Sequence, residues 1–149
     1  MVFLISQNID NLHLKSGIRE DLIGELHGNM TLARCPQCGK TIKQTWDRPV
    51  RCSCDGLFQS SIIEFGEELP REVLDKSINQ TKLADLFMAI GSSLFTQPAR
   101  ILPIIAKRNG AKVVIVNRGV TTLDRMADIR FSESAGEVLS AIVNYLESI

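Results

Sequence analysis

The sequence predicts an α/β protein with a mostly parallel sheet covered by helices and a small cysteine-bound insert. Three observations carry that prediction. Apolar runs of strand length stand at residues 2–5, Leu86–Ile90 and 112–117, and each ends in polar or small residues, as buried parallel strands do. Helically spaced segments lie among them, and this alternation is the signature of a parallel sheet. Four cysteines cluster in a stretch that has little apolar content of its own.

Taken in order, residues 2–5 form a first strand that stops at Ser6-Gln7-Asn8. Ile18, Leu22, Ile23 and Leu26 have helical spacing, which predicts a helix over 18–26. Residues 61–65 suit an extended segment. Pro70 stands at a first helical position, with Val73, Leu74 and Ile78 as the apolar stripe behind it. The strand Leu86–Ile90 stops at the small-residue turn Gly91-Ser92-Ser93. A helix over 98–107 ends at Asn109-Gly110, and KVVIVN (112–117) is the next buried strand. Ile129–Phe131 makes a last short strand, and residues 137–146 an amphipathic helix. Ligands of such sheets bind beyond the carboxyl ends of the strands. Gln7-Asn8, Gly91-Ser92-Ser93 and Asn117 are therefore the positions to search.

Composition narrows the classes. A chain of 149 residues with 44% apolar content suits one domain carrying a small insert. Seventeen basic residues balance seventeen acidic ones, so there is no direct signal for nucleic acid or an anionic membrane. Residues 1–10 do not have the pattern of a signal peptide. No apolar run approaches the ~20 residues that span a bilayer. The reading is a protein inside the cell, in nucleus or cytoplasm, where clustered cysteines hold metal more often than they form disulfides.

Those cysteines read Cys35-Pro36-Gln37-Cys38 and then Cys52-Ser53-Cys54. Two sulfurs on a tight turn reach one metal, and a second pair completes a tetrahedron. Four thiolates close the shell, so the Zn2+ they predict organises structure and performs no chemistry. Gly39 and Gly56 follow the two pairs, where a chain bending round a metal favours positive φ. The second pair is tighter than the common Cys-x-x-Cys; free thiols or an iron–sulfur cluster are the other readings. The segment between the pairs is polar, with Trp46 its only aromatic residue, so metal binding supplies much of its folding energy.

Six short strings then occur in order: Ser6-Gln7-Asn8-Ile9-Asp10-Asn11-Leu12-His13, Glu25-Leu26-His27-Gly28-Asn29, the paired cysteines, Phe65-Gly66-Glu67, Gly91-Ser92-Ser93-Leu94 and Val116-Asn117. Together they resemble the sirtuins, the NAD-dependent protein-lysine deacylases, and residues 12–17 and 25–30 look most like the nuclear, chromatin-associated branch. The resemblance implies a Rossmann-like NAD domain made of residues 1–30 and 61–149, with the zinc module, 31–60, inserted into it. It implies a transferase that removes an acyl group from protein lysine with NAD as co-substrate, yielding nicotinamide and O-acyl-ADP-ribose. Acyl-lysine proteins, chromatin proteins among them, are the implied partners.

The same resemblance assigns roles. His27 matches the general base that activates a ribose hydroxyl, a step that suits an imidazole because it titrates near neutrality. On residues alone, His27 beside Gly28 also reads as a helix-end side chain capping carbonyls. Gln7, Asn8 and Asp10 match nicotinamide and ribose contacts, although Asn8 and Asp10 equally suit a turn after a strand. His13, in the same string, reads as structural. Gly91, Ser92 and Ser93 resemble the family's Gly-Thr-Ser turn, Asn117 and Arg118 its adenosine-side strand end, and Ala135 its adenine-side loop. Ile63, Phe65, Gly66 and Glu67 resemble the strand that pairs with the acyl-lysine peptide.

Two departures stand out. Asn11 occupies a position where the family usually has glycine, a change that a residue tolerant of left-handed backbone absorbs. The family's opening strand, Gly-Ala-Gly-x-Ser phosphate loop and Gly-Ile-Pro-Asp-Phe-Arg segment have no counterpart in this sequence. The expected sheet is incomplete, its N-terminal strands absent. Three readings stand: a truncated piece of a longer protein, a naturally short relative whose sheet a partner or second copy completes, and a non-catalytic remnant. The missing strand is due between residues 2–5 and Leu86–Ile90, which leaves apolar edges open to self-association. Two alternatives stand beside the deacylase: mono-ADP-ribosyl transfer on the same scaffold, and a non-catalytic zinc-stabilised protein-binding remnant.

Overall fold

The computed structural model describes residues 2–44, 48–64 and 66–149. By packing, the chain divides into two units, Met1–Ser77 and Ile78–Ile149.

The first unit is made of short pieces. Strand β1 (Leu4–Ser6) is followed by the one-turn helix α1 (Leu12–Lys15), a 3₁₀ turn (Glu20–Leu22) and strand β2 (Ile23–Glu25). β1 and β2 pair in parallel, with Leu4 opposite Ile23 and Ser6 opposite Glu25. The helix expected over 18–26 is therefore a turn and a strand. Packing explains the difference: a Cβ on Gly24 would sit 2.6 Å from Ser77 Oγ and 3.4 Å from the Phe3 ring. The extended backbone brings the smallest residue to that crowded point and pairs it with β1, and tertiary contact overrides helical spacing. Strand β3 (Leu32–Arg34) then lies between β4 (Thr41–Lys43) and β5 (Gln59–Ser60) in an antiparallel sheet. Helix α2 (Arg71–Lys82) starts just after Pro70, as expected. Its Lys76 ammonium donates to Asp21 O at 2.8 Å and lies 5.2 Å from the centre of the Phe3 ring.

The second unit is a parallel sheet with β7 (Lys112–Val116) between β6 (Leu86–Ile90) and β8 (Ile129–Phe131). Phe87 faces Val113 across the ladder, and Val116 faces Phe131. One apolar cluster gathers Ala89, Val113 and Ile115 with Ala106 of helix α3 (Ile101–Arg108). The other gathers Val114 and Val116 with Val138 of helix α4 (Ala135–Glu147). The alternation along β7 thus feeds two opposite faces, one helix to each. Val113, Ile115 and Val116 are fully buried, and each such side chain contributes roughly 1.5–3 kcal/mol of transfer free energy. Helix α4 begins at a capping box in which Ser134 and Glu137 each satisfy the other's backbone amide.

Among the described residues, β1 pairs only with β2 and β6 only with β7. Each is left with one edge unpaired. Leu86 and Ile90 of β6 are correspondingly 51% and 40% exposed. Among the same residues, no helix is long and apolar enough to cross a membrane.

Candidate active site and metal centre

Within the first unit, the polar tail of β1 meets the turn that follows β2. Leu26 N donates to Ser6 O at 2.9 Å, which extends the parallel pairing by one bond. One residue on, His27 Nδ1 lies 3.1 Å from Gln7 O. A carbonyl only accepts, so Nδ1 carries the hydrogen, and in the neutral ring the lone pair is on Nε2. His27 is thus held by the β1 tail, and the helix-end reading of it falls with the helix. The turn is closed by Gly28 at φ +74, where a Cβ would stand 1.8 Å from Ser61 O. Only glycine fits there, both for its backbone angle and for the approaching chain. That approach lets Ile63 N donate to His27 O at 3.0 Å.

Asn8 and Asp10 lie on the same β1 tail as Gln7. Asn8 N donates to Ser6 Oγ at 3.1 Å, and Asp10 Oδ1 accepts from Leu12 N at 3.0 Å. Asp10 thus starts α1 in the manner of an Asx turn. Asn11 adopts φ +62, the left-handed conformation expected of a residue in a glycine's place. Glu25 is partly enclosed, and burial pushes its carboxyl upward despite the Asn29 amide that holds it. Residues 61–64 form no ladder, and Glu67 Oε2 accepts from Glu64 N at 2.9 Å, curling the chain round the exposed Gly66. Phe65 and Trp46 lie outside the described residues.

The four cysteines converge. Cys35 and Cys52 are buried, Cys38 and Cys54 exposed, and all four Sγ atoms lie within 4.8 Å of one another. Cys35–Cys54 and Cys38–Cys52 sulfurs are 3.5 Å apart. A tetrahedron with Zn–S bonds of ~2.3 Å needs sulfur separations of about 3.8 Å, so the group fits structural zinc. The electrostatics agree. The Cys54 amide holds the Cys52 thiol down to about 6. Cys54 goes up to about 12: the Gly56 amide pulls it down, but Cys38 and Cys35 outweigh that pull. Four thiols this close oppose one another's ionisation, and a dication removes the conflict. Gly39 has φ +75 as expected. Gly56 corrects the expectation: Asp55 takes the positive φ, +65, and Gly56 is small because a Cβ there would lie 2.6 Å from Cys35 Sγ.

Within the second unit, the predicted residues gather at the carboxyl ends of the strands. Gly91 follows β6 at φ +63, and its amide donates to Val116 O at 2.9 Å. Ser93 O accepts from Thr122 N at 3.3 Å. Ser92 Oγ accepts from Leu94 N at 3.3 Å. Asn117 follows β7; its amide donates to Phe131 O at 3.1 Å and its side chain to Gly119 O at 2.9 Å. Ala135 opens α4, whose Glu137 carboxyl is held low chiefly by Ser134, with the Arg118 charge adding to the effect. Asp124 braces this end. It accepts from Thr121 Oγ1 at 2.6 Å and Arg130 Nε at 3.0 Å, and those bonds, Thr121 first, lower its pKa.

Sequence reasoning passed over Asn29, Ser61, Asp124 and Arg130, which hold these loops. Asn29 was visible inside the Glu25–Asn29 string, but burial is not written in a residue type.

Comparison with known proteins places this geometry. The model of the Sir2 family matches residues 1–98. An NAD-dependent protein deacetylase of Oceanobacillus iheyensis is 42% identical over 144 residues, 95% of this chain and 60% of that protein. One from Bradyrhizobium diazoefficiens is 41% identical over 148 residues, 94% of this chain and 58% of that protein. Among solved structures, a Sir2 homolog–NAD complex superposes with a TM-score of 0.84 at 32% identity, covering 98% of this chain and 58% of that one. A Sir2 bound to acetylated peptide gives 0.80 at 33% identity, covering 96% and 63%. The chain spans about three fifths of the length of the curated relatives it matches.

Proposed function

This chain belongs to the Sir2 family, and from that premise we propose that it is part of an NAD-dependent protein-lysine deacylase. The reaction is acyl transfer from lysine to ADP-ribose with release of nicotinamide. His27 is the general base: with Nδ1 bonded to Gln7 O, Nε2 is the nitrogen able to take a ribose hydroxyl proton. That single contact carries the proposal. Gln7, Asn8 and Asp10 hold the nicotinamide side of NAD, and Gly91, Ser92, Ser93, Asn117, Arg118 and Ala135 the adenosine side. Ile63, Phe65, Gly66 and Glu67 hold the acyl-lysine peptide, and residues 31–60 are a zinc module set within an NAD domain of 1–30 and 61–149. Names of relatives support the reading; one is an NAD-dependent protein deacylase of Aquifex aeolicus, 36% identical over 149 residues.

Finer points follow the same reading. Substrates include chromatin proteins, and the compartment is one that keeps thiols reduced, nucleus or cytoplasm. The bare β6 edge is the place for self-association. The test is nicotinamide release from NAD in the presence of an acetyl-lysine peptide. Release that His27→Ala abolishes, with melting unchanged, supports the enzyme. Transfer of label from NAD to protein, without deacylation, selects the ADP-ribosyl alternative. Neither release nor calorimetric binding of NAD leaves this chain as a zinc-stabilised binding module.

A further inference from the structure

Asn29 is fully buried and uses every polar atom it has. Its Nδ2 donates to Asn11 Oδ1 at 2.8 Å and to the two Glu25 oxygens at 2.8 and 3.0 Å. Its Oδ1 accepts from Thr31 N at 2.9 Å and Thr31 Oγ1 at 2.7 Å. Its amide donates to Ser61 Oγ at 3.1 Å, and its carbonyl accepts from the same hydroxyl at 2.7 Å. A buried network satisfied at every atom admits one arrangement.

Two loops meet at this side chain. Residues 7–11 carry Gln7, Asn8 and Asp10; residues 25–29 carry His27. Backbone bonds from Leu26 N to Ser6 O and from Met30 N to Ile9 O, each 2.9 Å, flank the seam. Two side-chain bonds cross it, His27 to Gln7 O and Asn29 to Asn11. At φ +62, glycine would hold Asn11's backbone at less steric cost. What the asparagine adds is the oxygen that Asn29 grips.

We propose that Asn29, acting through Asn11, is a positioning residue for His27. It fixes the 7–11 loop so that Gln7 O keeps the hydrogen on Nδ1 and Nε2 remains the accepting nitrogen. The catalytic consequence rests on the deacylase reading; the geometry does not.

The test compares Asn11→Gly and Asn11→Ala in the zinc-loaded full chain. Both remove the oxygen, but glycine suits the left-handed backbone and alanine does not, so the alanine variant melts at a lower temperature. Nitrogen-15 NMR of the His27 ring reports which nitrogen is protonated. Both variants are expected to lose the fixed Nδ1–H tautomer to the same extent, whatever their melting temperatures. Nicotinamide release falls about tenfold in both, in turnover more than in KM for the peptide. An unchanged tautomer in Asn11→Gly, or a change only in the less stable variant, overturns the proposal. If the unaltered chain releases no nicotinamide, the deacylase reading fails for it, and the tautomer measurement alone decides the positioning role.

Discussion

Among the described residues, the first unit buries Ile23, Leu26 and Ala33 beside Cys35 and Cys52, together with the polar Ser6, Asn29, Ser61 and Ser77. The second buries Val113, Val114, Ile115 and Val116 with Leu102, Leu123 and Val138. Its only buried polar residue among those described is Thr81, in the last turn of α2 beyond the boundary at Ser77. One unit is held by a metal group and directed hydrogen bonds, the other by apolar area. The contrast follows from what each carries. The turn that carries His27 is fixed by bonds with direction, which burial of apolar area does not supply. The core of the second unit is apolar, and its polar contacts gather at the strand ends.

Removing zinc is the strongest way to break that contrast. Structural zinc in small modules supplies about 10–16 kcal/mol of apparent free energy. A chelator is expected to strip hydrogen-exchange protection from β3 and β4 while β7 keeps its own. If metal leaves without loss of protection, or both units open together, the division of labour is wrong. Next in size is Ile115→Ala, which empties a fully buried site and is expected to destabilise the second unit by about 2–5 kcal/mol. Zinc affinity, read by competition with a chromophoric chelator, should stay the same; weaker zinc binding would mean that the units share a core.

The smallest effect concerns pH. Asp128 accepts from Lys107 Nζ at 2.5 Å and Val113 N at 2.8 Å, and these bonds, Lys107 first, hold its carboxyl down to about 2. A carboxylate lowered on folding stabilises above its unfolded pKa, and that contribution is lost as pH falls through the folded one. Protection of β7 amides should therefore decline as pH drops from about 4 to about 2. Asn at position 128 is expected to flatten the decline and lower protection at neutral pH. Equal slopes for the two proteins would remove Asp128 from the account.

Much of the second unit was legible because its signals are local. The Leu86–Ile90 and 112–117 runs and the apolar spacing of α4 each imply their element within a few residues. The cysteine quartet was legible for a similar reason, since tetrahedral chemistry fixes which spacings reach one metal. The first unit was harder to read. Residues 18–26 have the spacing of a helix, yet they form a 3₁₀ turn and the short strand β2, where Phe3 and Ser77 crowd Gly24.

The sequence by itself determined the α/β plan and the four clustered cysteines, while His27 was singled out only by the family resemblance. Composition, period and motif depend on nearest neighbours along the chain, so those features survive without coordinates. Only the tertiary structure decided which imidazole nitrogen is free, why Gly28 and Gly56 have no side chain, and that Asn29 joins two loops. Each depends on atoms far apart in sequence arriving within about 3 Å, the distance at which hydrogen bonds and steric exclusion act.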